Sequence, residues 1–256
     1  MLRYAGLVDI GVYEKQNDDR ALLGNHVITE GSFSGETQEP YFLAAVCDGV
    51  SGMQQGGRAA ELTVSMLGEC SRAGLTRAEL REKIEEINKS IRLLQQQENM
   101  QNGLRTTLAG IYLDGDRLTV FNAGDSRVYR LRYRFLRLLS KDHSLVQDLI
   151  DLNQLTPEQA RRHPQKNIIN KCIGHEENVN PRIREYADDL TDGDLFLLCS
   201  DGITDVLPDE HLQAFLAEHA EDADLSVPCR LLRDAAAAYG SMDNMSVLLI
   251  RKERTE

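Results

Sequence analysis

The 256-residue chain carries 41 acidic and 29 basic side chains, a formal net charge of −12, with 41% hydrophobic and 27% charged residues. Those proportions belong to a globular protein large enough to bury a sizeable core, and the acidic balance argues against nucleic acid or an anionic membrane as partner. No apolar run reaches membrane-span length, "MLRYAGLVDIG" lacks a secretion signal's apolar core, and the five cysteines form no C-x-x-C pair, so the expected compartment is the reducing cytoplasm.

A short strand around Leu7 comes first, followed by the polar "EKQNDD" and by "TEGSFSGETQEP", which reads as a loop. Residues 43–47 are an apolar strand that stops at Asp48-Gly49. The Gly-rich "DGVSGMQQGG" leads into helical spacing over residues 58–72. "TRAE" is a Thr-x-x-Glu helix start, and the helix it opens runs from 76 to about 99, its polar end expected to face solvent and fray. From "TTLAGIY" to "FLRLLS" strands follow one another, with Asp114-Gly115 as a tight hairpin turn. Consecutive strands pair antiparallel, which argues against a doubly wound parallel sheet. Within "RVYRLRYRFLR", read as one strand, Arg130, Arg132 and Arg134 share a solvated face, with Tyr129, Leu131, Tyr133 and Phe135 opposite. Short helices return over 144–174, with Ser144 as a cap and Pro157 at a helix start. "PRIREY" and "DLFLLCS" read as a strand pair. Helices over 208–219 and about 225–239 and a last strand, "MSVLLIRK", complete a single α+β domain spanning 1–256.

Two apolar strands end in a bare carboxylate and a glycine: "LAAVCDG" at Asp48 and "LFLLCSDG" at Asp201. Asp18 and Asp19 in "QNDDR", Asp125 in "NAGDSR" and Asp243 in "SMDNMS" also fall at strand edges or just before apolar strands. A single Asp-Gly is more often a turn than a ligand, and Asp114-Gly115 and Asp192-Gly193 read that way. As a set, carboxylates brought together by antiparallel sheets repel one another unless a cation lies among them. An all-oxygen group of this kind suits Mg²⁺ or Mn²⁺ rather than zinc, and the glycine after Asp48 lets a backbone carbonyl approach a metal.

In order, "DIGVYEKQNDD", "AVCDGVSGMQQGG", "RTTL", "NAGDSRVYRL", "SKDHSLV", "HPQKNIINKCIG", "LTDGDLFLLCSDGITD" and "DNMSVLLI" resemble the motif set of the metal-dependent, type 2C serine/threonine protein phosphatases in their bacterial form. The resemblance runs from about Leu7 to Arg251. It implies a sandwich of two antiparallel β-sheets flanked by α-helices, with two or three Mn²⁺ or Mg²⁺ ions at one end. It implies that Asp48 bridges two ions beside the Gly49 carbonyl, that Asp201 and Asp243 hold one of them, and that Asp125 and Asp201 serve a third. A role through metal-bound water falls to Asp18 or Asp19, and residues 144–184 correspond to a mobile flap. The implied reaction is hydrolysis of phosphoserine or phosphothreonine by metal-activated water, in signalling with phosphorylated proteins and a cognate serine/threonine kinase as partners. No protein nucleophile is required, which agrees with the absence of a Cys-x5-Arg signature. "DHS" at Asp142, His143 and Ser144 is no triad, since adjacent residues cannot adopt triad geometry.

The sequence departs from that pattern in two places. Family members usually carry a phosphate-clamping arginine five residues after the first aspartate; counted from Asp9, that position is Glu14, with Lys15 beside it and Arg58 as another candidate cation. The loop reads Val50-Ser51-Gly52-Met53 where bacterial relatives tend to have Met-Gly-Gly-His. Glu14 supports one alternative, a catalytically weak or silent phosphoprotein-binding regulator. A nucleotide cradle on the Gly-rich loop lacks a Walker lysine, and Asp48 would turn a negative charge into it. The full set of aspartates favours an active phosphatase.

Overall fold

Two six-stranded antiparallel sheets face each other in this computed structural model, which describes residues 1–50, 55–100, 103–186 and 190–253. The first runs, edge to edge, β4 (Gly31–Thr37), β1 (Leu2–Asp9), β12 (Met245–Lys252), β11 (Leu195–Cys199), β8 (Arg127–Arg132) and β9 (Phe135–Leu138). The second runs β10 (Arg182–Tyr186), β7 (Arg117–Ala123), β6 (Leu108–Asp114), β5 (Tyr41–Asp48), β2 (Asp19–Leu23) and β3 (His26–Ile28). Helices α1 (Gly56–Gly68) and α2 (Arg77–Gln97) cover the second sheet. The first is covered by α6 (Asp209–His219) and α7 (Ser226–Ala238), with the one-turn α5 (Asp201–Thr204) leading into them. This is the sandwich with flanking helices that the sequence implied.

The layers explain the unbroken apolar strands. In β5, Ala44 and Val46 face the inter-sheet core with Ile111, Phe196 and Leu248. Leu43, Ala45 and Cys47 face the other way, onto Val64, Leu67 and Ile84 of the helices. A strand covered on both faces loses its polar alternation. β11 is the same case: Phe196 and Leu198 point between the sheets, Leu197 and Cys199 toward Leu212 and Leu232.

Local chemistry sets the helix starts. Thr76 and Glu79 form a reciprocal capping box on α2, Ser144 accepts from the Gln147 amide to start α3 (Leu145–Asp151), and Pro157 occupies the first turn of α4 (Pro157–Arg161). Asp114-Gly115 does turn β6 into β7, with Gly115 at φ +61°.

Several expectations are corrected. "GSFSGET", read as loop, is the edge strand β4, paired with β1 from Leu2↔Thr37 to Val8↔Gly31; an edge strand needs one bonded neighbour and little apolar side chain, so it left no hydrophobic signal. β10 and β11 are not partners, because β10 pairs with β7 in one sheet and β11 with β8 and β12 in the other. "RVYRLRYRFLR" is a hairpin, turned at Tyr133 and Arg134, which take φ of 51° and 68°. Its arginine face is solvated only at Arg134: Arg130 is buried and the half-buried Arg132 forms a two-pronged pair with the buried Asp194, at 2.6 Å on each arm. Finally, the polar end of α2 is put to use, since Gln95 donates to the carbonyls of Leu104 (2.6 Å) and Gly174 (3.1 Å).

Candidate metal centre

Strand ends bring the acids together. The antiparallel register of β2 and β5 sets Asp19 opposite Asp48. Asp201 opens α5 directly after β11, and Asp243 lies two residues before β12, the neighbour of β11. Asp125 stands in the short β7–β8 connection. Five of the six carboxylates singled out in the sequence therefore converge at one end of the sandwich.

Each is held by its backbone or by hydroxyls. Thr107 fixes Asp48 from both sides: its Oγ1 accepts from the Asp48 amide at 3.0 Å and its amide donates to the Asp48 carbonyl at 2.8 Å. The Thr106 hydroxyl donates to that same carbonyl at 2.9 Å, so the "RTTL" motif is a clamp on the Asp48 main chain. Ser200 and Ser246 both donate to Asp19 Oδ2 at 2.7 Å, which places Asp19 on the floor of the group. These hydroxyls and Asn244 were missed as functional residues; only their place beside the aspartates in "CSDG" and "DNMS" could have flagged them. Asn244 accepts from the Asp18 amide at 2.8 Å and donates to the carbonyls of Ile10 (2.8 Å) and Gln16 (3.1 Å). It thereby staples the β1–β2 loop, which carries Glu14, onto the Asp243 turn.

Asp18 stands at the edge of the group, near enough to Asp243 to raise its pKa. Its Oδ1 accepts from the Gly57 amide at 2.8 Å, on the first turn of α1, where a carboxylate complements the helix dipole. Gly49 is fixed by close approach: a Cβ there would lie 2.3 Å from the Gly56 carbonyl carbon, so only glycine lets α1 start against the end of β5. Replacing it with alanine is expected to cost about 2 kcal/mol or more of folding stability, measured as a lowered midpoint in urea unfolding.

The electrostatics are those of crowded, dehydrated anions. Burial first, then neighbouring carboxylates, push Asp48 and Asp125 well above the usual range and Asp19 and Asp201 up to about 7; Asp243 is raised for the same reasons, with Glu14 among its neighbours. Asp19 Oδ1, Asp125 Oδ1 and Asp201 Oδ1 are buried without any hydrogen-bond partner. Among the described residues no three His, Cys, Asp or Glu side chains are drawn into the tight shell of a bound ion. The carboxylates instead stand as mutually repelling acids, with three orphaned oxygens aimed at no donor. An all-oxygen set with that deficit fits a hard divalent cation.

Around the ring, Asp142 is taken by Arg127, whose Nε and Nη2 reach it at 3.0 and 2.7 Å. His143 Nδ1 accepts from the Gly124 amide at 3.2 Å, and burial with three nearby cations holds the imidazole down to about 4. The "DHS" residues thus go three separate ways. The α4 region rests on α5, with Arg161 donating to the Thr204 carbonyl at 3.2 Å and Lys166 paired with Asp205.

Residues 30–227 match the family model described as protein phosphatase 2C. This chain belongs to that family. A serine/threonine phosphatase of Listeria monocytogenes, stp, is 32% identical over 249 residues, covering 93% of this chain and 95% of the relative. The crystal structure of the Mycobacterium tuberculosis serine/threonine phosphatase PstP/Ppp superposes with a TM-score of 0.83 at 30% identity, covering 99% of each chain. The catalytic domain of PstP in complex with two manganese ions matches with a TM-score of 0.78 at 28% identity, over 99% of each chain.

Within this phosphatase, one of the two departures from the family pattern can be placed. Glu14 is exposed in the β1–β2 loop, near enough to Asp243 to raise its pKa. Arg58 does not stand in for the missing arginine: it forms a two-pronged pair with Glu98 at 2.7 and 2.8 Å. The other departure, Ser51-Gly52-Met53, lies outside the described residues.

Proposed function

We propose that this protein phosphatase releases phosphate from phosphoserine and phosphothreonine in proteins, using Mn²⁺ or Mg²⁺ held by the acidic ring. The observation that carries the reading is the set of three orphaned carboxylate oxygens within a group of five acids, Asp19 buried and the other four half-buried at its mouth. Asp48, with the Gly49 carbonyl, would be shared by the two ions; Asp201 and Asp243 would hold one of them, and Asp125 with Asp201 would hold a third. Asp19, fixed by Ser200 and Ser246, keeps one oxygen free to orient water, while Asp18 braces the floor through Gly57. Bound cations supply an acidified water and positive charge for the phosphoryl oxygens.

In this reading the flap begins at residue 144 and is docked on α5 by Arg161 and Lys166; the expected end at 184 is too late, because residues 182–184 already belong to strand β10 of the second sheet. No helix among the described residues is long and apolar enough to cross a membrane, and we place the protein in the cytoplasm, opposing a serine/threonine kinase in signalling. The deciding experiment is hydrolysis of a phosphothreonine peptide with Mn²⁺, Mg²⁺ or excess chelator. Activity should require metal and survive thiol alkylation; equal rates in chelator would refute the mechanism.

The silent-regulator reading rests on Glu14 alone and makes its own measurable claim. Glu14→Arg removes a repulsive charge and adds a two-pronged donor, so kcat/KM should rise about tenfold to a hundredfold. The gain should fall mainly on KM and shrink with salt, as expected for a clamp that holds substrate and transition state alike. An unchanged or lower kcat/KM gives Glu14 a role of its own, and Lys15→Ala is then the next variant.

A further inference from the structure

Beside the acidic ring, the side of the sandwich bounded by β9 and β10 carries the opposite charge. Those strands are the outer members of their sheets. Arg182, Arg184 and Tyr186 alternate onto one face of β10, and Tyr186 packs into the layer between the sheets. The two exposed arginines therefore line the side where the sheets part. Arg184 lies 4.8 Å from the Tyr186 ring centre, and Arg137 of β9 reaches the same ring at 5.9 Å. One aromatic ring thus positions guanidinium groups from both sheets.

Lys141 and Lys171 continue the row. Together with Arg182 they stand close enough to His143 to disfavour its protonation. His143 is in turn bonded to Gly124, the residue before Asp125: its amide donates to the Gly124 carbonyl at 2.9 Å. The row Arg137, Arg184, Arg182, Lys171, Lys141 therefore leads to the rim of the carboxylate ring. Ion pairing accounts for little of it. Asp151 pairs with Lys141 and also feels Arg182, and Lys171 donates to the Asn180 carbonyl at 3.1 Å. Glu185 alternates onto the opposite face of β10. In a chain of net charge −12, a run of cations at the rim of the catalytic end draws anions there against the field of the whole molecule.

We propose that this row is a docking track for acidic residues flanking the phosphorylated residue of the substrate, on one side of it only. The inference rests on the phosphatase reading of the ring. It also addresses a difficulty of that reading: the chain as a whole is acidic and Glu14 stands near Asp243, so an acidic phosphopeptide needs attraction from elsewhere. A track to one side supplies it and fixes the direction in which the peptide lies.

The test uses the full chain with Mn²⁺ and three phosphothreonine peptides: neutral flanks, acidic residues before the phosphothreonine, and acidic residues after it. p-Nitrophenyl phosphate serves as an ester too small to reach the track. One acidic peptide should exceed the neutral one in kcat/KM by about tenfold at low ionic strength, with the preference fading as salt rises. The double variant Arg182→Glu, Arg184→Glu should lose the preference through KM and leave p-nitrophenyl phosphate hydrolysis unchanged. Binding of the unphosphorylated acidic peptide in chelator, followed by fluorescence anisotropy, should weaken in parallel. Equal kcat/KM for the three peptides, or a preference that survives the double variant, overturns the track. If no ester is hydrolysed with Mn²⁺, the phosphatase reading fails and the anisotropy series still decides the track. A double variant that changes only the sedimentation behaviour makes the row a contact between copies of this chain, and the docking proposal falls.

Discussion

Asp48→Asn is expected to lower turnover on a phosphothreonine peptide by about a thousandfold or more, equivalent to roughly 4 kcal/mol of transition-state stabilisation. Asp48 sits where the fields of Asp19, Asp125, Asp201 and Asp243 overlap, so an ion attracted to any of them is also held by it. Losing its charge weakens every ion in the ring, whereas losing Asp125 removes a peripheral contribution. The main chain gives no reason for the fold to fail: Thr106 and Thr107 grip the Asp48 backbone, not its carboxylate. Calorimetry should show the loss of tight Mn²⁺ binding with an intact unfolding transition. The control is Asp114→Asn in the β6–β7 hairpin, where Asp114 pairs with Arg117 far along the strand from the ring; its turnover should be nearly unaffected. Undiminished binding at both tight sites in Asp48→Asn would remove Asp48 from its central role.

The second large effect concerns stability without metal. Asp19 and Asp201 have folded-state pKa values of about 7 against 3.8 for a freely hydrated aspartate, chiefly through burial and then repulsion. Between those values the folded chain binds more protons than the unfolded chain, so its stability falls as pH rises from about 4 to about 7. A tenfold difference in proton affinity corresponds to roughly 1.4 kcal/mol, so the coupled group should cost on the order of a few kcal/mol at neutral pH. In chelator, the midpoint of thermal unfolding should therefore drop across that window. Saturating Mn²⁺ should raise it by several degrees at pH 7 and far less at pH 5, where protons compete with the metal. Asp48→Asn should flatten the slope in chelator and unfold at a higher temperature than the parent there, because one of the mutually repelling acids is gone. A metal-free protein equally stable at pH 5 and pH 7 would contradict the crowding of these acids.

The fate of Asp18 and Asp19 shows where sequence reading ends. The pair "DD" is symmetric as text, and the strand that begins at Asp19 decides between them: alternation turns Asp19 inward to Ser200 and Ser246 and leaves Asp18 to meet Gly57 at the start of α1. The basic track was invisible for a similar reason. Arg137, Lys141, Lys171 and Arg182 are scattered over 46 positions of sequence, and only the placement of β9 and β10 on the same side of the sandwich gathers them. Arg130 and Arg132 misled in the opposite sense, since alternation gives the side of a strand but not what covers that side; here Asp194, from another strand's approach, neutralises Arg132.

By itself the sequence determined what short-range physics controls. Capping residues set the starts of α2 and α3, Asp114-Gly115 set the β6–β7 turn, and apolar runs marked β5 and β11 as strands that lead into an aspartate. The ordered motifs carried the sandwich, the family and the acids at its strand ends. Tertiary structure alone decided the strand partners of β4, β10 and β11 and the burial of Arg130, because hydrogen bonding between strands is satisfied by any edge of suitable length. Long-range packing selects among those edges, and with them it sets which charges face each other at the catalytic end.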